Sequence, residues 1–420
     1  MTSLLAPGRI GRIGQGRRRA SGGGGPSVNL KHAVIYGQSL ALGTDPDGAS
    51  IITTSPVTGH FEFNGGIRPV YDRAGETNVN TTIYPGQITS LVTLQEANSA
   101  TDPTTIRESF ASGMALRMTS AGMFSSTARG AFTIANLSRT AANHFPNTVT
   151  AVLAAKDLCD AAGYGYEVGA VIWKHGEADA AASTSRATYK SSMTTLRQDL
   201  ENHFDFAALG NIGTLKMLID QQAMSASTGT WAEIAVAAIE LHRAGGGFYC
   251  AGPTYHLIFT GANDVHLTSI STRNYGEKLG LIFQRLINGQ GWNPCHITGT
   301  PTRVGSTITV PIHVPVPPLV VDTTLVASAT NRGFSYSGAN ITSVTISDDG
   351  TGDNAGTITI GLDAAAGGTL RVAYNNYVTD GYIGPTFGSR SNIRDSDPAV
   401  TLYDGTPLYN WLCNDQWVVA

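Results

Sequence analysis

Charge and long apolar runs are both scarce in this chain of 420 residues. Asp, Glu, Lys and Arg together make up 14% of it, against about 25% in typical soluble domains. The formal net charge of −4 gives no general case for binding nucleic acid. The apolar stretch Leu4-Leu5-Ala6 is too short for a signal sequence or a membrane span. We therefore expect no nucleic-acid partner, no membrane insertion and no signal peptide.

Cysteine is also sparse. Cys159, Cys250, Cys295 and Cys413 are scattered, without the close pairs that a zinc site needs. Four free thiols are the simplest interpretation, and a disulfide between two of Cys250, Cys295 and Cys413 stays open. The cysteines therefore predict neither a metal centre nor a fixed disulfide framework.

Glycine, in contrast, is abundant, with 49 residues. Many turns and little charge are typical of a secreted or virion protein, so we expect a virion or extracellular location. The length favours about two domains. Residues 1–27 contain five arginines, no acidic residue and the run Gly22–Pro26, which predicts a flexible basic arm. This arm is either a tether to a larger assembly or a cloning remnant.

Residues 28–293 alternate between strand and helix patterns, which predicts a parallel sheet covered on both faces. The predicted strands cover residues 33–36, 130–135, 166–173, 215–219 and 248–251. The predicted helices cover residues 106–121, 147–162, 185–204 and 231–244, with a last one that Thr268 or Ser269 caps. Between the first strand and the first helix, residues 41–103 show little regular pattern.

From residue 294 onwards the pattern changes to short β-branched runs separated by turns, which predicts an all-β sandwich over residues 294–378. The predicted strands lie at residues 307–314, 319–321, 341–346, 357–360 and 370–374. The acidic segment Asp348–Asn354 fits a hairpin turn better than a calcium loop. Residues 379–420 form a tail that we expect to pack back on the larger domain.

Ser39 follows a buried strand and a glycine, in Ala33–Tyr36 and then Gly37-Gln38-Ser39. Glycine permits a sharp turn, and the carboxyl ends of strands in open α/β sheets are where ligands bind. A serine hydroxyl becomes a good nucleophile only when a base takes its proton. Gly-Gln-Ser taken alone is more often a simple turn.

A candidate base occurs far along the chain, in Asp264-Val265-His266. Residues two apart in an extended segment point to the same side, so the Asp264 carboxylate can orient the His266 ring. A third polar block, Lys174–Asp179, follows the predicted strand that ends at Trp173. We expect all three blocks to meet at one edge of the sheet.

With these blocks the chain resembles the SGNH hydrolase superfamily, in particular the sialate O-acetylesterase-like carbohydrate esterases. Gly37-Gln38-Ser39 matches the first block of that family, Trp173–Asp179 the Trp-x-Gln-Gly-Glu-x-Asp block, and Asp264-Val265-His266 the last. The resemblance covers about residues 30–290 and implies a flavodoxin-like three-layer α/β/α domain. The tail resembles the ending of esterases encoded in phage and prophage genomes, so the basic arm becomes a candidate link to a phage virion.

The resemblance implies that Ser39, Asp264 and His266 are catalytic. It also suggests an oxyanion- or substrate-binding set, which comprises Gln38, Thr140, His175 and Glu177. Two departures stand out. His175 replaces the usual glutamine, and the glycine-rich second block has no clear counterpart. Its candidates are Gly113 and the segment Ser138–Asn143, and the second is preferred because it follows a predicted strand.

The resemblance implies a serine esterase that removes O-acetyl groups from a carbohydrate, with an O-acetylated bacterial surface polysaccharide as partner and with no metal or organic cofactor. Residues 41–103 would shape the pocket, and Phe61, Phe63, Tyr71 and Arg73 are candidates for sugar contacts. The alternative is a non-catalytic glycan-binding protein, used for phage receptor recognition, with a degenerate esterase core.

Overall fold

A seven-stranded sheet forms the centre of the larger part of the chain in the computed structural model. The structure describes residues 28–43, 52–69, 83, 85–96, 108–141, 144–204, 209, 211, 213–223, 231–261, 264–374 and 384–420. The basic arm 1–27, Tyr71 and Arg73 lie outside the described residues, so the predictions made for them stay predictions.

The strands of this sheet are β1 (Asn29–Gly37), β2 (Val57–Phe63), β3 (Leu91–Leu94), β4 (Gly122–Ser126), β5 (Gly165–Lys174), β6 (Met217–Gln221) and β7 (Phe248–Pro253). Their order is β3-β2-β4-β1-β5-β6-β7. In this spatial order, each strand from β2 through to β7 runs parallel to its neighbour, and the edge strand β3 runs antiparallel to β2. The sheet is therefore mixed, whereas the sequence predicted a parallel one.

Helices cover both faces of the sheet. They are α1 (Phe110–Arg117), α2 (Ile134–Leu137), α3 (His144–Ala162), α4 (Glu177–Ala181), α5 (Arg186–His203), α6 (Trp231–Ala244) and α7 (Ser269–Ile287). Side chains alternate across β1. Val34 and Tyr36 join one core with α3, α5 and α6, and Ala33 and Ile35 join another with α1 and α7. The prediction of an α/β domain with helices on both faces of a central sheet is therefore confirmed.

The remaining strands are all antiparallel and form what we call the β module. They are β8 (His296–Ile297), β9 (Thr302–Val304), β10 (Thr307–Val314), β11 (Val320–Val321), β12 (Phe334–Tyr336), β13 (Ile341–Asp348), β14 (Gly352–Leu362), β15 (Gly368–Val372), β16 (Ile393–Arg394) and β17 (Asp415–Val419). Alternate residues of β10 and β14 meet in its core, for example Ile308, Val310 and Ile360.

Two sequence-based expectations about strands are wrong. The segment 130–135 is not a strand, because the chain turns at residues 130–131, where Ala131 has a positive φ of 60°, and α2 follows. The strand comes earlier, as β4, whose residues are all buried between β1 and β2. The strands β2 and β3 lie in the stretch 41–103, which showed no regular pattern.

The acidic segment Asp348–Asn354 forms the turn of the β13–β14 hairpin and the residues beside it. The Asp348 carboxylate accepts from the Leu319 N–H at 2.8 Å, while Asp353 binds His313 at 2.6 Å. Because these carboxylates hold different neighbours, the hairpin interpretation is favoured over the calcium loop. Among the described residues, no group of His, Cys, Asp and Glu has the arrangement of a metal site.

All four cysteines are buried and present as free thiols. Within the described part of the chain, no helix is both long enough and apolar enough for a transmembrane segment.

Candidate active site

Gly37 sets the position of Ser39 at the carboxyl end of β1. Its φ is 141°, and a Cβ there would lie 2.2 Å from the Lys174 carbonyl oxygen, so only glycine fits. The Gln38 N–H donates to that oxygen at 3.1 Å, and the Gly37 oxygen accepts from the Arg129 N–H at 2.9 Å. Ser39 then begins a short 3-10 turn that ends at Leu42. The turn is thus fixed to the ends of both neighbouring strands.

His266 lies on a short hairpin between β7 and α7. The Thr260 N–H donates to the His266 carbonyl at 3.0 Å, and the Thr268 N–H donates to the Ile258 carbonyl at 3.1 Å. The Thr268 hydroxyl accepts from the Ser271 N–H and caps α7, so of the two predicted caps, Thr268 and Ser269, the structure has Thr268. The hairpin and the capped helix together fix the backbone on both sides of His266.

The three predicted catalytic residues are in contact, although 227 positions separate Ser39 from His266. Ser39 Oγ lies 2.9 Å from His266 Nε2, and His266 Nδ1 lies 2.6 Å from Asp264 Oδ1. Asp264 Oδ1 also accepts from the His266 backbone N–H at 2.9 Å. With Nδ1–H donating to Asp264, Nε2 has a lone pair for the serine proton. This is the geometry of a nucleophile, a base and an orienting carboxylate.

The Asp264 carboxylate is favoured in its charged form. Burial acts to raise its pKa, but hydrogen bonds from Thr260 and from the His266 N–H and ring outweigh burial, so the pKa lies below its usual value. The Thr260 hydroxyl donates to Asp264 Oδ2 at 2.6 Å. The Asp264 and His266 side chains are 27% and 26% exposed, so a substrate can reach the pair from solvent.

His175 lies in the interior and does not present an N–H to an oxyanion. Its ring stacks on Trp173, Nε2 lies 2.9 Å from the Phe132 carbonyl oxygen, and Nδ1 lies 3.1 Å from the Tyr189 hydroxyl. Burial lowers the pKa of His175, which favours the neutral ring. Because both ring nitrogens bind protein atoms, the predicted role of His175 as oxyanion donor does not fit this geometry.

His175 instead holds the segment 129–134, as does Asp179. The Asp179 carboxylate accepts from the Ile134 N–H at 2.7 Å, while its other oxygen accepts from the Thr184 hydroxyl at 2.8 Å. Within this segment, Gly130 packs directly against Ser39: a Cβ on Gly130 would lie 3.6 Å from the Ser39 Cβ. His175 and Asp179 thus position the backbone that borders Ser39.

Gln38 and Glu177 form a buried network below Ser39. Gln38 Nε2 donates to Glu177 at 2.8 Å, and Gln38 Oε1 accepts from the Ala178 N–H at 3.0 Å. Glu177 also binds the Lys174 ammonium at 3.2 Å, which in turn lies 2.7 Å from Asp220. Burial raises the pKa of Asp220 to about 6. The polar atoms of Gln38 and Glu177 therefore bind protein groups, so these residues brace the site from inside.

The two predicted candidates for a second oxyanion donor make other contacts in the structure. Gly113 is in α1, where a Cβ would lie 2.3 Å from the Arg273 carbonyl of α7, so it serves helix packing. Thr140 is exposed, and its hydroxyl lies 3.0 Å from that of Ser138. Sequence reasoning missed Gly130 because it assigned this glycine to a strand. Its position shortly after β4 is the signal that could have identified it.

Two of the predicted sugar-contact residues, Phe61 and Phe63, lie in the described part of the chain, and His256 is a further ring close to Asp264 and His266 in the sequence. Phe63 is buried, and Phe61 packs on Tyr164 with ring centroids 5.5 Å apart. His256 stacks on Trp411 of the tail, and burial lowers its pKa to about 3. All three rings thus pack against protein groups.

The arrangement of sheet, helices and β module is similar to that of a solved structure. No protein-family profile and no curated protein sequence matches the chain. The structure of XAC1771, a carbohydrate acetylesterase from Xanthomonas citri, matches with a TM-score of 0.58 and 13% identity, covering 92% of this chain and 80% of that one.

Two smaller structures match less well. A protein from Arabidopsis thaliana has a TM-score of 0.41 and 14% identity over 60% of this chain and 97% of its own. NanS has a TM-score of 0.42 and 10% identity over 63% of this chain and 99% of its own. At these identities the comparisons show a shared fold for XAC1771 and say nothing further about the reaction.

Proposed function

We propose that this protein is a serine esterase that removes O-acetyl groups from a carbohydrate. The observation that carries the proposal is the continuous hydrogen-bonded series from Ser39 through His266 to Asp264. The fold, shared with a carbohydrate acetylesterase, supports the choice of substrate class. The family resemblance adds the finer assignment, which is an SGNH hydrolase with a flavodoxin-like three-layer domain and a β-sandwich domain.

The reaction follows from the positions of these groups. His266 Nε2 removes the Ser39 proton as the serine oxygen attacks the acetyl carbonyl carbon. Asp264 holds the ring and stabilises its protonated form. His266 then gives the proton to the departing sugar oxygen, which leaves an acetyl-serine. Water attacks this ester with His266 again as base, and acetate leaves as the proton returns to Ser39.

The transition state carries negative charge on the former carbonyl oxygen. Backbone N–H groups near Ser39 would stabilise it, each contributing on the order of 3 kcal/mol. We assign the second donor to the segment that contains Gly130, because that segment lies against Ser39 and is held by His175 and Asp179. This segment is thus a candidate for the second oxyanion donor, although the chain has no clear counterpart of the glycine-rich second block.

We extend the proposal to the class of polysaccharide and to the location of the enzyme. The substrate is an O-acetylated bacterial surface polysaccharide, and the protein acts as a virion-associated or extracellular enzyme. These points rest on the family resemblance, the low charge and the basic arm.

The test is acetate release from purified O-acetylated polysaccharides and from an aryl acetate. Ser39→Ala and His266→Ala should each reduce kcat/KM on the order of 10⁴-fold or more. Ser328→Ala, which removes an exposed hydroxyl of the β module, is the matched control and should change nothing. Equal activity in the Ser39→Ala chain would exclude the proposed nucleophile. Glycan binding without any hydrolysis by the wild type would favour the receptor-binding alternative.

A further inference from the structure

A crevice of about 1030 Å³ lies where α7, the β module and the tail meet. Lys278 and Arg285 of α7 line it, together with Trp292 of the following connection, Asp353 of the β module and Asn410 of the tail. Of the described residues that line it, none belongs to the Ser39 triad. A volume of this size is at the upper end of what ligand sites in proteins usually have, about 300–1,000 Å³.

The cationic groups of the crevice mostly have partners already. The Arg243 guanidinium makes two bonds to Asp415, at 2.5 and 3.0 Å, and Arg117 Nε binds Glu277 at 2.7 Å. Lys278 Nζ donates to the Leu408 carbonyl at 2.6 Å. Lys278 also lies 3.8 Å from the Asp397 carboxylate, so three of the four cations are paired with carboxylates. The fourth, Arg285, donates from Nε to the Gly291 carbonyl at 3.3 Å. The lining is not that of a site for phosphate or for a highly charged polymer.

An aromatic ring, two carboxylates and neutral polar groups form much of the rest of the lining. The Trp292 indole donates to the Cys250 carbonyl at 2.8 Å, so its edge is anchored while the ring stays partly exposed. The Asp353 side chain is 65% exposed and is held at the rim by His313. Carboxylate, amide and imidazole groups match vicinal hydroxyls. The Lys278 ammonium lies over the Trp292 ring, 5.3 Å from its centroid, so a sugar ring would contact the part of the indole that Lys278 leaves exposed.

Asn410 provides a second, independent observation. It is 5% exposed, and its Nδ2 donates to Asp395 Oδ2 at 2.6 Å. Its Oδ1 has no hydrogen-bond partner among the described residues. A buried acceptor without a donor costs about 1–3 kcal/mol. A hydroxyl donor that enters the crevice would remove this cost.

We propose that the crevice between α7, the β module and the tail is a second carbohydrate-binding site, which takes a neutral, hydroxyl-rich segment of a polysaccharide. This second site depends on the proposed function only for the identity of the polymer, because the polymer bound in the crevice would also present its acetyl ester to Ser39. Binding at two places would keep the enzyme on its substrate through effective concentration.

The test uses the full chain with Ser39→Ala, so that no ester is consumed. This protein is applied to an array of bacterial surface polysaccharides, xylan oligomers and heparin. We expect binding to at least one neutral glycan. Trp292→Ala and the rim variant Asp353→Ala should each weaken that binding about tenfold. Tyr403→Ala is the control, because Tyr403 is 50% exposed and lies against Arg273.

Each outcome is decisive. No binding to any glycan, binding to heparin alone, or binding that neither crevice variant weakens would overturn the proposal. With Ser39 restored, both variants should hydrolyse an aryl acetate at the wild-type rate while their KM for the polysaccharide rises. Failure of the esterase proposal would appear as an inactive wild type and would leave the array result unchanged.

Discussion

Both carboxylate oxygens of Asp264 accept hydrogen bonds that fix the position of His266. One of its oxygens accepts from both the backbone and the ring of His266, and the other accepts from the Thr260 hydroxyl. The carboxylate is therefore fixed from both sides, and the ring it binds has one orientation. Spacing in the sequence was enough to predict the contact between Asp264 and His266. It was not enough to identify Thr260, because the hairpin brings that residue back to Asp264.

Thr260→Val should reduce the kcat/KM for an aryl acetate about tenfold. The change keeps the side-chain shape but removes a hydrogen bond to a charged group, and such bonds contribute about 1.5–3 kcal/mol. The pKa of Asp264 should rise with the loss of that donor. The measurement is steady-state kinetics from pH 5 to 9.

Thr260→Ser is the control for this change, since it keeps the hydroxyl and should retain nearly full activity. Equal losses in the serine and valine variants would mean that packing of the threonine methyl matters and the hydrogen bond does not.

His175 marks the limit of motif reasoning. The sequence showed that an imidazole replaces the usual amide, and a donor to the oxyanion was the natural interpretation. In the structure its N–H binds the Phe132 carbonyl and therefore holds the segment beside Ser39. That contact could not be predicted, because the segment 130–135 was assigned to a strand. The strand assignment therefore hid the residues that His175 contacts, and only the three-dimensional structure shows what its ring nitrogens bind.

At the scale of elements, the contact between α1 and α7 fixes the helix that begins next to His266. The two helices approach so closely that Gly113, Gly276 and Gly280 each face backbone atoms of the other helix. The capping residue Thr268 starts α7 two positions after His266. A shift of α7 would therefore move the base relative to Ser39.

Gly113→Ala should destabilise the protein by about 1–2 kcal/mol. Its Cβ would lie 2.3 Å from the Arg273 carbonyl, and overpacking of this kind costs typically 1–3 kcal/mol. The better helix propensity of alanine offsets up to about 1 kcal/mol of this cost. Urea denaturation measures the free energy of unfolding, and kcat/KM should fall in parallel.

Gly86→Ala is the matched control, because no atom lies within 4 Å of the Cβ position there. An unchanged stability in the Gly113→Ala chain would show that the two helices can separate without cost, and the close contact would then have no role in placing His266.

Helices were easier to predict than edge strands. The pattern predicted α3, α5 and α6 within a few residues of their ends, because a 3.6-residue period repeats over many turns. The strands β2 and β3 are short, and they pair with each other and with β4 at one edge of the sheet. Short strands at an edge depend on contacts with distant residues, so no local pattern indicated them.

At the scale of the whole molecule, the tail joins the α/β part to the β module. The strand β17 pairs with β15, and Gln221 of β6 exchanges two hydrogen bonds of 2.8 Å with the backbone of Asn414. Packing on the larger part was the expectation for residues 379–420. The pairing of β16 with β11 and of β17 with β15 was not foreseen, since no strand was predicted in residues 379–420.

Asp415 should therefore control whether the chain unfolds as one unit. Its buried carboxylate binds Arg243 of α6 and also the Trp417 indole N–H. Asp415→Ala would leave the Arg243 charge without this partner, at a cost of about 3–5 kcal/mol. In differential scanning calorimetry we expect one transition for the wild type and for the surface control Asp157→Ala. The Asp415→Ala chain should show an earlier, separate transition of the β module. A single transition at the wild-type temperature in that variant would show that the tail does not couple the two parts.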